Sequence, residues 1–398
     1  MKQNIIIIEP NEAVLVKELQ LREDIKAERI KRLLALPDLS RTDGSPIKAV
    51  VNRVLQIPEF ADFDVIQIPE IISTKILFDL FGFADTHPAR SESDTYYVDK
   101  EHVLRTHDTV FWYYYLNHPE IKKRLENNES FGTFCFGKVY RKDEIDRHHM
   151  NVFHQFGGLY LVPENKKDLS IEDLKQALSL IVKSVFGPNV NFRFVDETFP
   201  YTDPSTEIEV EINGKWMEIV GSGMAKQTIL ANFGVKGYKA WAFGFGLERL
   251  AIIKMGIPDI RIFWSDDERI TGQLKDLDNK YKEVSKYPET SRDISFIIDK
   301  NINLNNYYEI VRDFVPMTTS SRIHDGKAVG TENYVPIIEE VKLVDEFEND
   351  EKFGKDKKSY TFRIVYRSPE RTLTSEEVNA IQEQIREKTK TDLNAVLR

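Results

Sequence analysis

Three stretches of this 398-residue chain carry residue types at spacings suited to anion chemistry. In the first, Val139-Tyr140-Arg141-Lys142-Asp143-Glu144 is followed by His148-His149 and then Phe153-His154-Gln155. This reads as a strand delivering an arginine, a polar loop, and a return strand carrying an aromatic ring and an amide. A planar guanidinium grips two phosphate oxygens at once, and a phenyl face on the partner strand stacks a base. A solvated hairpin with cross-strand charge pairs has the same composition. In the second stretch, Ala242-Phe243-Gly244-Phe245-Gly246-Leu247-Glu248-Arg249-Leu250, glycines end a strand and a helix opens with an arginine in its first turn. A helix N-terminus with Arg249 suits an anion; a tight strand-to-helix turn is the alternative. Gly244-x-Gly246 lacks the third glycine of a dinucleotide fingerprint, and no Gly-Lys-Ser/Thr follows to make a Walker loop. The third stretch, Gly221-Ser222-Gly223-Met224, marks by itself only a turn or a close backbone approach.

The elements that must position these residues read as antiparallel strands with helices set apart from them, an α+β pattern. Residues 134–141 and 152–162 are strand-like, and 207–212 with 216–220 form a hairpin around Asn213-Gly214. Residues 11–36 read as one charged helix capped by Asn11 and stopped by Pro37, with a linker over 39–46. Ser170-x-x-Asp173 opens another helix that Gly187-Pro188 ends. The expected layout is an N-terminal extension over 1–45, one domain over 46–264, a linker over 265–284 and a second domain over 285–398. In the last, strand, helix, strand, strand, helix and strand follow in the order of the ferredoxin-like split βαβ motif. Thr374-x-x-Glu377 is a capping box for its second helix, and 317–336 reads as a long loop.

Cys135 is the only cysteine, which excludes an intrachain disulfide and a cysteine-rich zinc site. The formal net charge of -10 argues against indiscriminate coating of nucleic acid, while a local basic face still suits a structured RNA. No apolar run approaches the ~20 residues a membrane span needs. The opening MKQNIIIIEPNEAV has neither a signal-peptide core nor transit-peptide composition. The default is a cytoplasmic protein, the alternative an organellar one after removal of a transit peptide.

Together the first two stretches resemble motifs 2 and 3 of class II aminoacyl-tRNA synthetases, in the right order. Within that class the chain is similar to phenylalanyl-tRNA synthetases through Leu104-Arg105-Thr106-His107, His87-Pro88-Ala89-Arg90, Phe199-Pro200-Tyr201, Gly221-Ser222-Gly223-Met224 and Gly256-Ile257-Pro258-Asp259-Ile260-Arg261. Tyr287-Pro288, Arg292-Asp293-Ile294 and Glu370-Arg371-Thr372-Leu373-Thr374 resemble the ferredoxin-like anticodon-binding domain that ends the single-chain organellar enzymes. The resemblance implies a class II antiparallel-sheet catalytic domain that joins phenylalanine to ATP and then to the terminal adenosine of tRNA(Phe). In that scheme Arg141, Arg249 and His149 hold phosphates and Phe153 stacks the adenine. His107, Thr109 and Gln155 hold the amino acid's polar end, Phe199 and Tyr201 sandwich its ring, and Ala242 and Gly244 shape the pocket floor. Magnesium is the implied counter-ion, with Glu209 or Glu218 as ligand; salt-bridged strand glutamates are the alternative. Arg363, Tyr366 and Arg367 would offer a sheet face to an unpaired anticodon. A monomer that needs no partner subunit and carries no editing domain is implied too. Three positions depart from the family pattern: Thr109 for a serine, Tyr201 for a phenylalanine, and Gly157 for a glutamate two places after Gln155. A catalytically silent binding protein and an activator of another aromatic acid are the rival readings.

Overall fold

The computed structural model describes residues 2–265, 267–284, 287–314, 322–324, 327–329, 337–368 and 371–398. They fall into two compact units: Met1–Arg141, Val152–Gly256 and Asp276–Asp278 in the first, Lys142–Asn151, Ile257–Lys275 and Asn279–Arg398 in the second. No helix among the described residues is long and apolar enough to cross a membrane.

The first unit is built on an eight-stranded sheet. Its strands are β1 (Asn4–Ile6), β2 (Asp64–Gln67), β3 (Phe131–Tyr140), β4 (Val152–Pro163), β5 (Phe192–Phe199), β6 (Thr202–Ile212), β7 (Lys215–Ala225) and β8 (Tyr238–Gly246), in the order β1-β2-β3-β4-β8-β7-β6-β5. β1, β2 and β3 pair in parallel and the remaining neighbours antiparallel. Side chains alternate between the faces, and the two faces differ in kind. One carries a ladder of rings: Phe134–Phe156, Phe156–Phe245 and Tyr160–Trp241 have centroids 5.1, 5.2 and 5.3 Å apart. Each such buried ring contributes about 1.5–3 kcal/mol of burial free energy. The other face presents smaller residues, including Cys135, Ala240 and Ala242, to a core with Phe81, Phe111, Trp112 and Tyr115. The turn at Asn213-Gly214 has φ of 52° and 76°, the doubly positive pair that a two-residue hairpin requires. The hairpin strands run past the expected ends, to Thr202 and Ala225.

The expected single helix over 11–36 is two, α1 (Pro10–Gln20) and α2 (Ile25–Ala35). The first opens at Pro10, with Glu9 rather than Asn11 at the cap position; proline is pre-organised for a first turn. The chain breaks at Leu21–Asp24 because Arg22 donates to the Val98 carbonyl at 2.6 Å and the Asp24 carboxylate caps the Ala27 N–H. The segment after α2 is tied down. Lys138 Nζ donates to the carbonyls of Leu34 and Leu36, and the Leu39 N–H to His154 Nε2. Further helices are α3 (Pro46–Leu55), α4 (Phe111–Asn117), α5 (Ile171–Phe186) and α6 (Leu247–Met255). Ser170 and Asp173 make the expected capping box on α5.

The second unit holds a four-stranded antiparallel sheet of β9 (Thr290–Asp299), β10 (Ile338–Phe347), β11 (Lys357–Tyr366) and β12 (Val396–Leu397), ordered β10-β11-β9-β12. Helices α7 (Asn305–Asp313) and α8 (Ser375–Asp392) complete the ferredoxin-like order. Thr374 and Glu377 cap α8 reciprocally, as expected. Most of the expected loop over 317–336 lies outside the described residues; its described parts, Arg322–His324 and Lys327–Val329, pair as a short antiparallel ladder.

Candidate active site

The strand register places three glycines side by side: Gly157 on β4 faces Gly244 on β8, which faces Gly221 on β7. Directly opposed residues share a sheet face, so the row is a trough three strands wide. The groups that overhang it explain why side chains are missing. A Cβ on Gly157 would lie 2.5 Å from Asp108 Oδ2 and 2.9 Å from the Phe111 ring. One on Gly244 would lie 3.4 Å from Asp108 Oδ1, and one on Gly221 2.9 Å from the Phe199 ring. A carboxylate therefore overhangs one end and a phenyl ring the other. The stretch 221–224, uninformative in sequence, supplies one end of the trough.

The polar end comes from the turn leading into α4. The Asp108 N–H donates to Gln155 Oε1 at 2.9 Å. Both ring nitrogens of His107 are buried with no hydrogen-bond partner, and its ring stacks on Phe83 at 5.8 Å. Burial, then the charges of Arg141 and Arg105, hold its pKa down to about 3, so it presents a neutral imidazole. Asp108 is 2% exposed and its Oδ2 has no hydrogen-bond partner. Burial pushes its carboxyl up to about 7, against Arg105, Arg141 and the N–H groups of Asp108 and Thr109, which all favour the anion. Because an acid raised in the fold binds its proton more tightly there than when unfolded, its cost is absent below about pH 4 and complete above about 7. Asp108→Asn is accordingly expected to melt no higher than the parent at pH 4, and several degrees higher at pH 8, in thermal scans across that window.

As placed, the rings of Phe199 and Tyr201 leave no slot for a ligand ring between them. Their own rings lie 6.2 Å apart at 13°, closer than the ~7 Å that two 3.5 Å ring contacts require. They form a continuous wall instead. Tyr201 packs edge-on against Phe81 and Trp112; burial raises its pKa, and the neighbouring Thr109 side chain opposes that rise. The two departures at 109 and 201 are thus neighbours. Ala242, two residues before Gly244 on the same face, is buried at 3% in the floor.

Arg141 follows β3; its Nε donates to the Thr106 carbonyl at 2.8 Å and its guanidinium lies 5.3 Å from the Phe153 ring. Arg249, in the first turn of α6, donates to the Glu218 carbonyl at 3.3 Å and lies 4.0 Å from its carboxylate. Glu209 and Glu218 face each other across β6 and β7, and Glu209 pairs with Arg193 at 2.6 Å. Desolvation and the neighbouring Glu218, Glu197 and Glu209 raise the pKa of Glu207. Among the described residues no three ligating groups converge on one cation position. A pair of carboxylates fits magnesium only in the mode where substrate phosphates and waters complete the shell. His149 belongs to the second unit, where Asp146 accepts from its N–H and lies 2.8 Å from Nδ1.

Glu248, passed over in sequence, is a buried support of the site. Its carboxylate accepts the His154 N–H at 3.0 and 2.9 Å and lies 2.5 Å from His154 Nδ1. His154 is itself fully buried and accepts from Leu39 through Nε2. This chain of bonds joins the strand beneath Gln155 to the helix carrying Arg249; an acid beside the motif arginine on an apolar helix was its only signal. Glu248→Ala should destabilise the protein by about 3 kcal/mol, read from chemical denaturation, because buried donors lose their acceptor.

Of the expected anticodon residues, Arg363 is outward but paired bidentately with Asp293 at 2.8 Å. Arg367 pairs with Glu289 and Glu339. Tyr366 is fully buried with its hydroxyl on Gln382, so it offers no stacking face. The period of two puts it with Phe362 and Ile364 in the core, on the face opposite Arg363.

Residues 34–274 match the model of the tRNA synthetases class II core domain (F), and residues 285–398 that of the ferredoxin-fold anticodon binding domain. The chain is 38% identical to the chloroplastic/mitochondrial phenylalanine–tRNA ligase of Arabidopsis thaliana over 90% of its own length and 80% of the relative's. It is 32% identical to the mitochondrial phenylalanine–tRNA ligase of Mus musculus over 83% and 74%. It is also 34% identical to the phenylalanine–tRNA ligase alpha subunit of Thermotoga neapolitana over 64% and 76%. The organelles in the first two names support the organellar alternative and not the cytoplasmic default. The chain belongs to the phenylalanine–tRNA ligase family of class II tRNA synthetases.

Proposed function

We propose that this chain, without a partner subunit, activates phenylalanine with ATP and transfers it to the terminal adenosine of tRNA(Phe). The carrying observation is the glycine trough, polar at one end and aromatic at the other, with Arg141 beside the polar end. A phenylalanine carboxylate oxygen attacks the α-phosphorus of ATP, and the bond to the β-phosphate breaks to release pyrophosphate. A ribose hydroxyl of the tRNA then displaces AMP from the carbonyl. Both steps need positioning and charge neutralisation more than proton transfer. In this reading Arg141 holds the α-phosphate, Phe153 stacks the adenine, and Arg249 binds the terminal phosphate. His107, Thr109 and Gln155 orient the amino acid, with the Phe199–Tyr201 wall beside its ring and Ala242 and Gly244 beneath it. Magnesium would be held by Glu218 or Glu209 together with the phosphates and would neutralise their charge. Arg363 and Arg367 contact the anticodon backbone.

ATP–pyrophosphate exchange with each of the twenty amino acids tests the reading: phenylalanine should give the highest kcat/KM. Tyrosine should follow at about 100-fold lower, since an apolar pocket rejects an added hydroxyl only weakly. Exchange led by another amino acid would overturn it.

A further inference from the structure

We propose that the Asp108 carboxylate receives the α-ammonium group of the amino-acid substrate, in place of the glutamate that the family pattern puts at position 157. The inference rests on the amino-acid-activating reading above and adds the residue that recognises the amine. Gly157 by itself reads as a lost charge. In three dimensions the charge has moved: Asp108 Oδ2 stands 2.5 Å from where a Cβ at 157 would begin. The two carboxylate positions are mutually exclusive, because a side chain at 157 would have to pass through the space Asp108 fills. The replacement reaches the same point from the turn before α4 rather than from the sheet.

Three further observations point to a ligand. Asp108 is almost wholly buried, yet Oδ2 lacks a hydrogen-bond donor; an unpartnered buried carboxylate is costly unless a cation completes it. The trough beneath it runs across Gly157, Gly244 and Gly221 to Phe199, a span of ~10 Å at the usual strand spacing. An α-amino acid bearing a benzyl group would span that length with the amine at Asp108 and the ring at the wall. The charges of Arg105 and Arg141 act at Asp108 and favour an anion beside it, as the substrate carboxylate would be, and the raised proton affinity of Asp108 falls when an ammonium docks.

The test compares the parent, Asp108→Asn, and the relocated pair Asp108→Ser with Gly157→Glu, by exchange kinetics and by competition. Phenethylamine lacks the carboxylate; 3-phenylpropionate lacks the amine. Asp108→Asn should raise KM for phenylalanine about 100-fold, the usual cost of losing a buried charge pair, with KM for ATP within twofold. Phenethylamine should stop competing in that variant, while inhibition by 3-phenylpropionate stays as in the parent. The relocated pair should recover KM to within about tenfold of the parent, a gain that a structural role for Asp108 does not predict. A phenylalanine KM within threefold of the parent in Asp108→Asn overturns the assignment. Should the parent prefer another amino acid, only the phenylalanine reading falls, and the same KM comparison on that amino acid still decides the role of Asp108. Exchange with none of the twenty overturns both.

Discussion

Replacing Arg141 with glutamine is expected to lower phenylalanine-dependent ATP–pyrophosphate exchange about 1,000-fold while the melting temperature moves by less than about 2 °C. A fixed cationic donor facing charge that grows in the transition state is typically worth a factor of 10²–10³. Arg141 is itself exposed, and Arg105 still favours the anion of the buried Asp108 when Arg141 is replaced. A bond from Nε to the Thr106 carbonyl fixes the plane of the guanidinium beside the His107–Asp108 turn. The Phe153 ring lies 5.3 Å away and steers the same group by a cation–π contact. Arg141→Lys should recover little of the loss, because an ammonium cannot reproduce the two-pronged grip. A variant with unchanged kcat would remove Arg141 from the phosphate-binding role.

The second large effect is on stability. Gly157→Glu should cost about 3–5 kcal/mol and bring the melting temperature down by roughly 10 °C. The new Cβ would meet Asp108 Oδ2 at 2.5 Å and the Phe111 ring at 2.9 Å, and neither can retreat through the packed face of α4. The added carboxylate would then stand beside one that is already buried. Gly157→Ala isolates the steric part and should show a smaller loss, while removal of the Asp108 side chain should restore much of the stability of Gly157→Glu. Differential scanning calorimetry of the three variants separates space from charge.

These two residues show where the sequence was informative and where it was not. Signals that depend on a few adjacent residues were legible: the Asn213-Gly214 turn, the capping pairs Ser170–Asp173 and Thr374–Glu377, and the strand-loop-strand carrying Arg141 and Phe153. The break between α1 and α2 was not, because Leu21-Arg22-Glu23-Asp24 are acceptable helix residues and a distant carbonyl, Val98, draws Arg22 aside. Tyr366 was readable and misread: Phe362, Ile364 and Tyr366 alternate with Arg363 and Arg367, which puts tyrosine and arginines on opposite faces. The chemistry at Asp108 required tertiary structure. Nothing in the chain around residue 108 announces that its carboxylate lies over residue 157, and nothing around Gly157 says what fills the space. Likewise Thr109 and Tyr201 look like separate departures until the fold brings them side by side.

The claim that one chain performs the whole reaction is tested most directly by charging tRNA(Phe) with labelled phenylalanine, using the purified chain as the sole protein. Multiple turnovers of acid-precipitable phenylalanyl-tRNA are expected, dependent on ATP and abolished in Arg141→Gln. Exchange activity without any charging, restored only by a second protein, would contradict it.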